Sequence, residues 1–117
     1  MRMPGPDGKL MHAEFKIGVA WIFLADEFPD FGVLSPKTLG GSGGSILIYV
    51  RDVDAFVDRA AKAGATVVMP PTNMFWGDRF SKLTDPFGHT WSFSTHIEDV
   101  PIDELARRSA EAFKQHQ

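Results

Sequence analysis

The chain has 117 residues, of which 44% are hydrophobic, and its formal net charge at pH 7 is −3. This length and composition predict one globular domain with a packed core, and the weak negative charge excludes the strongly basic surface that nucleic acids attract. Cysteine is absent, which excludes disulfides and a cysteine nucleophile, and no segment approaches the roughly 20 apolar residues that span a bilayer. We therefore expect a cytoplasmic protein with no nucleic-acid partner and no membrane partner.

Residues 1–38 predict a short antiparallel unit. Turn residues over Met3 to Lys9 precede an alternating segment, Leu10 to Ile17, which predicts a half-buried strand. Gly18 permits a reversal into a second, more apolar strand over Val19 to Ala25. Asp26 to Thr38 holds two prolines and predicts a loop, and residues 39–44 are rich in glycine and serine and predict a flexible linker.

Residues 45–98 predict a complete βαβββ unit. A strand over Ser45 to Val50 leads into a helix that Asp52 caps and Gly64 ends. Three strands follow, over Thr66 to Met69, Arg79 to Thr84 and Thr90 to Thr95, and Pro70-Pro71 is expected to stop the first of them. Residues 99–117 complete the single domain with a C-terminal helix, predicted over Pro101 to His116. The order predicts an α+β fold.

An internal repeat relates the two halves of the chain at a distance of seventy positions. Gly18 corresponds to Gly88, Trp21 to Trp91, and Phe23 to Phe93, which indicates two similar supersecondary units. The first unit has no counterpart of the strand and helix over residues 45–70. Its apolar face therefore needs a cover, for which the candidates are the C-terminal helix, residues upstream of the given start, or a second copy. A two-fold homodimer is the preferred interpretation.

Three motifs accompany this order: Met11-His12-Ala13-Glu14, Phe75-Trp76-Gly77-Asp78-Arg79-Phe80, and Asp85-Pro86-Phe87-Gly88-His89-Thr90-Trp91-Ser92. With the βαβββ unit they resemble the vicinal oxygen chelate superfamily, which includes glyoxalase I, bleomycin-resistance proteins and extradiol dioxygenases. Within it they look like the PhnB-like, or 3-demethylubiquinone methyltransferase-like, branch. The resemblance implies paired βαβββ modules, here with the first lacking its opening strand and helix, whose mixed sheet forms a cup around a small-molecule cavity.

The resemblance also implies a divalent metal held by His, Gln or Glu on the first and last strands of each module. The corresponding positions in this chain are near Leu47, at Ser92 and at Ile22, and the first strand of module one is absent. Aliphatic side chains cannot coordinate a metal, and a lone serine is a poor ligand. We therefore predict neither a metal nor another cofactor.

Side chains for acid–base chemistry or ligand contact remain. His12, Glu14 and His96 are the candidate catalytic residues, with ordinary polar residues at strand ends as the alternative interpretation. Alternation places Ser92, Ser94 and His96 on the cavity face of the last strand, with Trp91 and Phe93 towards the helices, and we expect His12, Glu14 and Asp26 to line the same pocket. The candidate ligand-binding residues are Asp26, Tyr49, Phe75, Trp76, Arg79, Ser92 and Ser94.

Trp76 and Arg79 have two interpretations. They form either an aromatic wall and a cation for a planar or anionic ligand, or a packed tryptophan beside an Asp78–Arg79 surface pair. The sequence as a whole predicts a protein that binds an unidentified small molecule without the family's metal. An isomerase or lyase acting on a small oxygenated substrate, and a dimerisation module with a vestigial pocket, are the alternatives.

Overall fold

The computed structural model describes residues 1–115, and within them the chain forms an α+β fold with strands in two sheets, as predicted. The strands are β1 (Arg2–Pro4), β2 (Leu10–Ile17), β3 (Ala20–Leu24), β4 (Ser45–Tyr49), β5 (Thr66–Asn73), β6 (Asp78–Thr84) and β7 (Thr90–His96). The α-helices are α1 (Pro36–Leu39), α2 (Val53–Lys62) and α3 (Ile102–Gln115). The predicted end of the last helix, His116, lies outside the described residues.

The two sheets correspond to the two predicted units. Sheet 1 is antiparallel, in the order β1-β2-β3, and sheet 2 has the order β4-β7-β6-β5 with β4 parallel to β7. The sequence β4-α2-β5-β6-β7 is the expected βαβββ unit. Within residues 1–115 no strand of one sheet pairs with a strand of the other.

Helix α2 covers one face of sheet 2 and forms the core with it. The Asp52 side chain accepts a hydrogen bond from the Ala55 N–H at 3.2 Å, which caps the helix as predicted. Val53 and Val57 on α2 are buried against Leu83 on β6 and Phe93 on β7. Burial of side chains of this size contributes roughly 1.5–3 kcal/mol each, so this cluster holds the helix on the sheet.

Three local predictions were wrong. Met3 and Pro4, predicted within a turn segment over Met3 to Lys9, belong to β1 and pair with β2, because the chain reverses later, over Pro6–Gly8. Pro36–Leu39, predicted as loop, is a short helix, since Ser35 caps it by accepting from the Thr38 N–H at 3.2 Å. Strand β5 continues through Pro70-Pro71, because it is an edge strand with shifted register at the prolines, where a missing N–H costs little.

Loop length reverses the faces expected for the first unit. The loop between β2 and β3 holds two residues, 18 and 19, whereas the loop between β6 and β7 holds five, 85 to 89. The two loops differ in length by three residues. Because this difference is odd and side chains alternate along a strand, each side chain on β2 lies on the face opposite to that of its repeat counterpart on β6. Glu14 pairs directly with Phe23, and Lys16 pairs with Trp21. His12 and Glu14 therefore share a face with Trp21 and Phe23, whereas the repeat predicts that Trp21 and Phe23, like Trp91 and Phe93, are turned away from the cavity face.

Sheet 1 leaves much apolar surface exposed, and the whole chain is elongated. Trp21 and Phe23 are 60% and 64% exposed, although their counterparts Trp91 and Phe93 pack beneath α2 or beside it. The radius of gyration is 17.7 Å, against about 13 Å for a compact domain of roughly 100 residues. No helix within residues 1–115 has the length and apolar character needed to cross a bilayer.

Candidate functional site

The candidate site lies on the face of sheet 2 that is turned away from α2, here called the open face. Ser92, Ser94 and His96 on β7 lie on this face, as predicted, because Trp91 and Phe93 between them pack on the α2 side. Directly paired residues share a face, so the register extends the site across the sheet. Its rows are Asp78–His96, Phe80–Ser94–Tyr49, and Lys82–Ser92–Leu47.

A buried carboxylate is the polar centre of the open face. Asp78, at the start of β6, is 3% exposed. Its Oδ2 accepts hydrogen bonds from the Tyr49 hydroxyl at 2.7 Å and from Trp76 Nε1–H at 3.1 Å, and its Oδ1 accepts from His96 Nδ1–H at 3.1 Å. Four side chains that are separated by up to 47 positions in the sequence thus meet at one group.

The charges in this cluster follow from its hydrogen bonds. Burial works to raise the pKa of Asp78, but the hydrogen bonds from Tyr49, His96 and Trp76 outweigh it and lower the pKa below its usual value, so the group is ionised. His96 Nε2 donates to Asp99 at 2.7 Å. Because carboxylates only accept, this geometry favours a ring with protons on both nitrogens. The hydrogen bond to Asp99 is the larger cause, and the hydrogen bond to Asp78 the second, of a raised pKa of His96. The hydrogen bond to Asp78 likewise raises the pKa of Tyr49.

A tight turn before β6 positions the tryptophan. Gly77 has φ +97°, and the Cβ of any other residue there would collide with the Glu98 carbonyl. The Gly77 carbonyl accepts from the N–H groups of Ile97 and Glu98 at 2.9 and 3.0 Å, which joins the turn to the end of β7. Trp76 lies edge-on to Phe75 and Phe80, with ring centroids 5.1 and 5.8 Å away. The indole is therefore held by packing as well as by Asp78.

Two serines on the open face are buried, and one of them lacks a partner. Ser92 is 4% exposed and Ser94 is fully buried. The Ser94 hydroxyl makes no hydrogen bond with the part of the chain that is described, although it lies between Tyr49 and Phe80 in the same row. A buried hydroxyl without a partner is unfavourable, so Ser94 is a position at which this face gives up stability.

Arg79 is not part of this cluster. Alternation turns it to the α2 side, where Nε and Nη2 donate to the two Asp54 oxygens at 2.7 and 3.0 Å, and Nη1 donates to Asn73 at 2.9 Å. The expected aromatic wall and cation are therefore on opposite faces. The alternative surface pair of Asp78 with Arg79 was also wrong, since Asp78 is buried. Asp78 was not predicted as a site residue. It lies in a turn motif, where the sequence gives no periodic pattern that shows which side chain points towards the site.

The predicted acid–base residues are not brought together. His12 Nε2 and Glu14 Oε1 are 2.9 Å apart on sheet 1, with the imidazole edge-on to Phe23. The Asp26 carboxylate accepts from the Leu10 N–H at 2.6 Å and closes the open end of β2 and β3. His96 belongs to the Asp78 cluster on sheet 2, so it is separated from the His12–Glu14 pair and from Asp26, which lie on sheet 1.

The residues at the expected metal positions do not fit a metal. Leu47 and Ser92 lie side by side on the open face, so β4 and β7 are placed as the resemblance implies. The Ser92 hydroxyl is the one possible metal ligand of this pair, and a lone hydroxyl is a poor ligand. The two nitrogens of His96 contact different carboxylates, Asp78 and Asp99, on different sides of the ring. This arrangement does not direct the three side chains towards one metal position. Within residues 1–115, no three His, Cys, Asp or Glu side chains are grouped for metal binding.

A second concavity lies on the α2 side. It is an apolar groove of about 730 Å³ between α2, sheet 2 and the tip of the β2–β3 hairpin. Its lining includes Phe15, Ile17, Ile48, Phe56, Ala60 and Trp91. This volume falls in the usual range for small-molecule sites, roughly 300–1,000 Å³. The groove has few polar groups with which to orient a ligand, in contrast to the open face.

Comparison with known proteins gives a family match over most of the chain. Residues 2–93 match the model for the Glyoxalase/Bleomycin resistance protein/Dioxygenase superfamily. Two uncharacterized mycobacterial proteins, from Mycobacterium bovis and Mycobacterium tuberculosis strain H37Rv, are 43% identical over 107 residues, or 89% of this chain. The chain spans 70% of the length of the former and 63% of the latter.

Solved structures match at the level of the fold. Protein PA1353 from Pseudomonas aeruginosa aligns with a TM-score of 0.60 and 27% identity, covering 82% of this chain and 71% of that protein. TioX from Micromonospora sp. ML1 aligns with a TM-score of 0.59 and 30% identity, covering 83% and 76%. These matches agree with the motif-based resemblance at the level of the superfamily.

Proposed function

Because the chain belongs to the Glyoxalase/Bleomycin resistance protein/Dioxygenase superfamily, we propose that it binds a small organic molecule on the open face of sheet 2 without the family's divalent metal. The observation that carries the proposal is the buried, ionised Asp78, which holds Tyr49, Trp76 and His96 in fixed positions. Ligand sites combine apolar surface with a few fixed polar groups, and on this face Phe80 and Leu47 lie among the polar side chains.

The free hydrogen-bonding capacity of the site indicates the ligand's chemistry. The Tyr49 hydroxyl donates to Asp78, so its lone pairs are free to accept. Phe80 lies in the same row and Leu47 on the same face, and both supply apolar surface near the hydroxyl. We therefore propose a largely apolar ligand that carries a hydroxyl or amide group. The Phe75–Phe80 motif, which forms this site, supports membership of the PhnB-like branch, and that membership stays a prediction. A cytoplasmic location also stays a prediction.

The test is a thermal-shift screen with small phenols, quinones and amides, together with bleomycin, each measured with and without EDTA. We expect at least one compound to raise the Tm, and EDTA to leave the shift unchanged. Asp78→Asn should abolish the shift, whereas Asp54→Asn, which alters a hydrogen-bonded carboxylate on the opposite face, should preserve it. Loss of the shift on adding EDTA would contradict the metal-free proposal.

The same screen separates the open face from the groove. Ala60→Phe places a large side chain in the groove and leaves the open face unaltered. A shift that survives in Ala60→Phe but is lost in Asp78→Asn supports binding at the open face. The reverse pattern would assign the ligand to the groove and overturn the proposal.

An enzyme is the second candidate, and the His12–Glu14 pair favours it. A carboxylate that accepts a hydrogen bond from an imidazole fixes the ring's orientation for acid–base chemistry, and His12 remains partly exposed. Both nitrogens of His96 are already engaged with carboxylates, which makes His96 a positioning residue rather than the base. Turnover of an oxygenated ligand found in the screen, lost in His12→Gln but retained in His89→Gln, would support this candidate. If no compound binds the folded protein, a dimerisation module with a vestigial pocket becomes the better interpretation.

A further inference from the structure

A lysine lies on the open face, two rows away from the Asp78 cluster. Lys82 on β6 pairs with Ser92 on β7, and Ser92 pairs with Leu47 on β4, so the three residues form one row across the sheet. The row of Phe80 lies between this row and that of Asp78, and four residues of strand span about 13 Å. The open face therefore carries a carboxylate and an ammonium group that are well separated, with an aromatic ring between them.

The charge of Lys82 is not balanced by the part of the chain that is described. Within residues 1–115 the Lys82 ammonium group forms no ion pair. Neither it nor the hydroxyl of the adjacent Ser92 takes part in a hydrogen bond there. Lys82 is nevertheless half-buried, and the carboxylate of this face, Asp78, is engaged by its own three donors. A lysine that is withdrawn from water generally needs a partner, so this position favours a negative group from outside the chain.

The free serine hydroxyl indicates which negative group fits beside the lysine. Ser92 is 4% exposed, so its hydroxyl has little water to bond with. A hydroxyl can rotate about its C–O bond and donate to an acceptor that lies against Lys82. One ammonium group and one hydroxyl match a carboxylate, which has a single charge and two accepting oxygens. A phosphate carries a charge of about −1.5 to −2 and three accepting oxygens, and this row does not supply the further donors that it would need.

We propose that Lys82 and Ser92 form an anion-binding end of the ligand site, and that the ligand is an organic carboxylic acid. Its carboxylate lies against the Lys82 ammonium group and accepts a hydrogen bond from the Ser92 hydroxyl. Its apolar body covers Phe80, and its hydroxyl or amide group donates to the Tyr49 hydroxyl. The lysine thus places a fixed positive charge in the row of Leu47 and Ser92, where the resemblance implies metal ligands. This inference rests on the proposed function, because it names the charge of the ligand for the same face.

Matched pairs of acids and amides test the charge of the ligand. 3-Phenylpropionate, 4-phenylbutyrate and 4-hydroxycinnamate are each compared with the corresponding primary amide, which has nearly the same shape and no charge. We expect at least one acid to bind the wild-type chain roughly tenfold to a hundredfold more tightly than its amide, because hydrogen bonds to charged groups are the stronger ones. Isothermal titration calorimetry measures both dissociation constants. Acids that bind no better than their amides, or that do not bind, would overturn the proposal.

Two substitutions at Lys82 test its role directly. Lys82→Met removes the charge and keeps an unbranched apolar side chain, so the affinity for the acid should fall to about that of the amide, and the affinity for the amide should stay unchanged. Lys82→Arg keeps the charge and should retain a preference for the acid. Lys62→Met is the matched control, because this lysine pairs with Asp58 on the exposed surface of α2 and its loss changes the net charge equally. A preference for the acid that survives in Lys82→Met, or that is lost equally in Lys62→Met, would overturn the proposal.

A measurement on the wild-type chain needs no variant to fold. Raising NaCl from about 50 to about 500 mM should reduce the preference for the acid several-fold and leave amide binding unchanged, because salt screens the ion pair, and a preference that ignores salt would overturn the proposal. Equal binding of acid and amide, with both lost in Asp78→Asn, would overturn the carboxylate and leave the proposed function standing. A preference for the acid that depends on Lys82 but survives in Asp78→Asn would support the carboxylate and contradict the role of Asp78 in the proposed function.

Discussion

Replacing Asp78 by asparagine tests whether the buried carboxylate organises the open face. Its two oxygens accept from Tyr49, Trp76 and His96. An asparagine keeps one acceptor oxygen but brings an amide N–H₂ among these donors, and neither the indole N–H nor a doubly protonated imidazole accepts a hydrogen bond. At least one of the three donors is then left without a partner at Asp78, and the interaction with His96 is weakened.

The expected loss can be worked from these contacts. Leaving a buried donor unsatisfied costs about 1–3 kcal/mol, and hydrogen bonds to charged groups contribute roughly 1.5–3 kcal/mol, so Asp78→Asn should lower the free energy of unfolding by about 2–4 kcal/mol. With a urea m-value of about 2 kcal/mol/M, the midpoint of unfolding should fall by roughly 1–2 M. This is a large part of a total that is typically about 5–15 kcal/mol.

Urea denaturation followed by circular dichroism at two or more protein concentrations measures the change. Asp54→Asn is the control, because it removes an ion pair with Arg79 that is exposed to solvent, and exposed ion pairs contribute little to stability. If Asp78→Asn lost no more stability than Asp54→Asn, the buried cluster would not be a structural centre, and the reasoning about the open face would fail.

Three further predictions concern the same face. Ser94→Ala removes a buried hydroxyl without a partner and should raise the free energy of unfolding by up to about 1 kcal/mol. Ser81→Ala removes a hydroxyl bonded to the Phe93 carbonyl at 3.2 Å and should lower the free energy of unfolding by about 1 kcal/mol. Urea melts in which both variants change the free energy of unfolding in the same direction would contradict this. The raised pKa of His96 means that its contribution is complete below its usual pKa of 6.5 and is lost as pH rises through the folded value. His96→Gln should therefore flatten the fall in stability above about pH 6.5, and His89→Gln should not; identical profiles of Tm against pH in both variants would refute the assignment. Gly77→Ala forces a Cβ onto the Glu98 carbonyl and should lower the Tm by more than Gly8→Ala, which also has positive φ but meets nothing nearby; a smaller effect at Gly77 would show that the turn can move.

Much of sheet 2 could be predicted from the sequence because the signals are local. The Asp52 cap, the alternation of β7 and the apolar stripe of α2 each depend on residues within a few positions of one another, and each is found in the structure. The α+β class follows from the order of these elements. The placement of Ser92 and Ser94 on the open face needed only strand alternation and the position of the helix.

The sequence by itself determined most of the strands, the two longer helices and the face of β7 that is turned from α2. Only the tertiary structure decided how strands are paired and which side chains meet. The exchange of faces between β2 and β3 follows from a loop three residues shorter than its counterpart. Asp78 gained its role from Tyr49, 29 positions before it, and from His96, 18 positions after it. Pairing over such separations depends on register across the whole sheet, and no local pattern of residues encodes it.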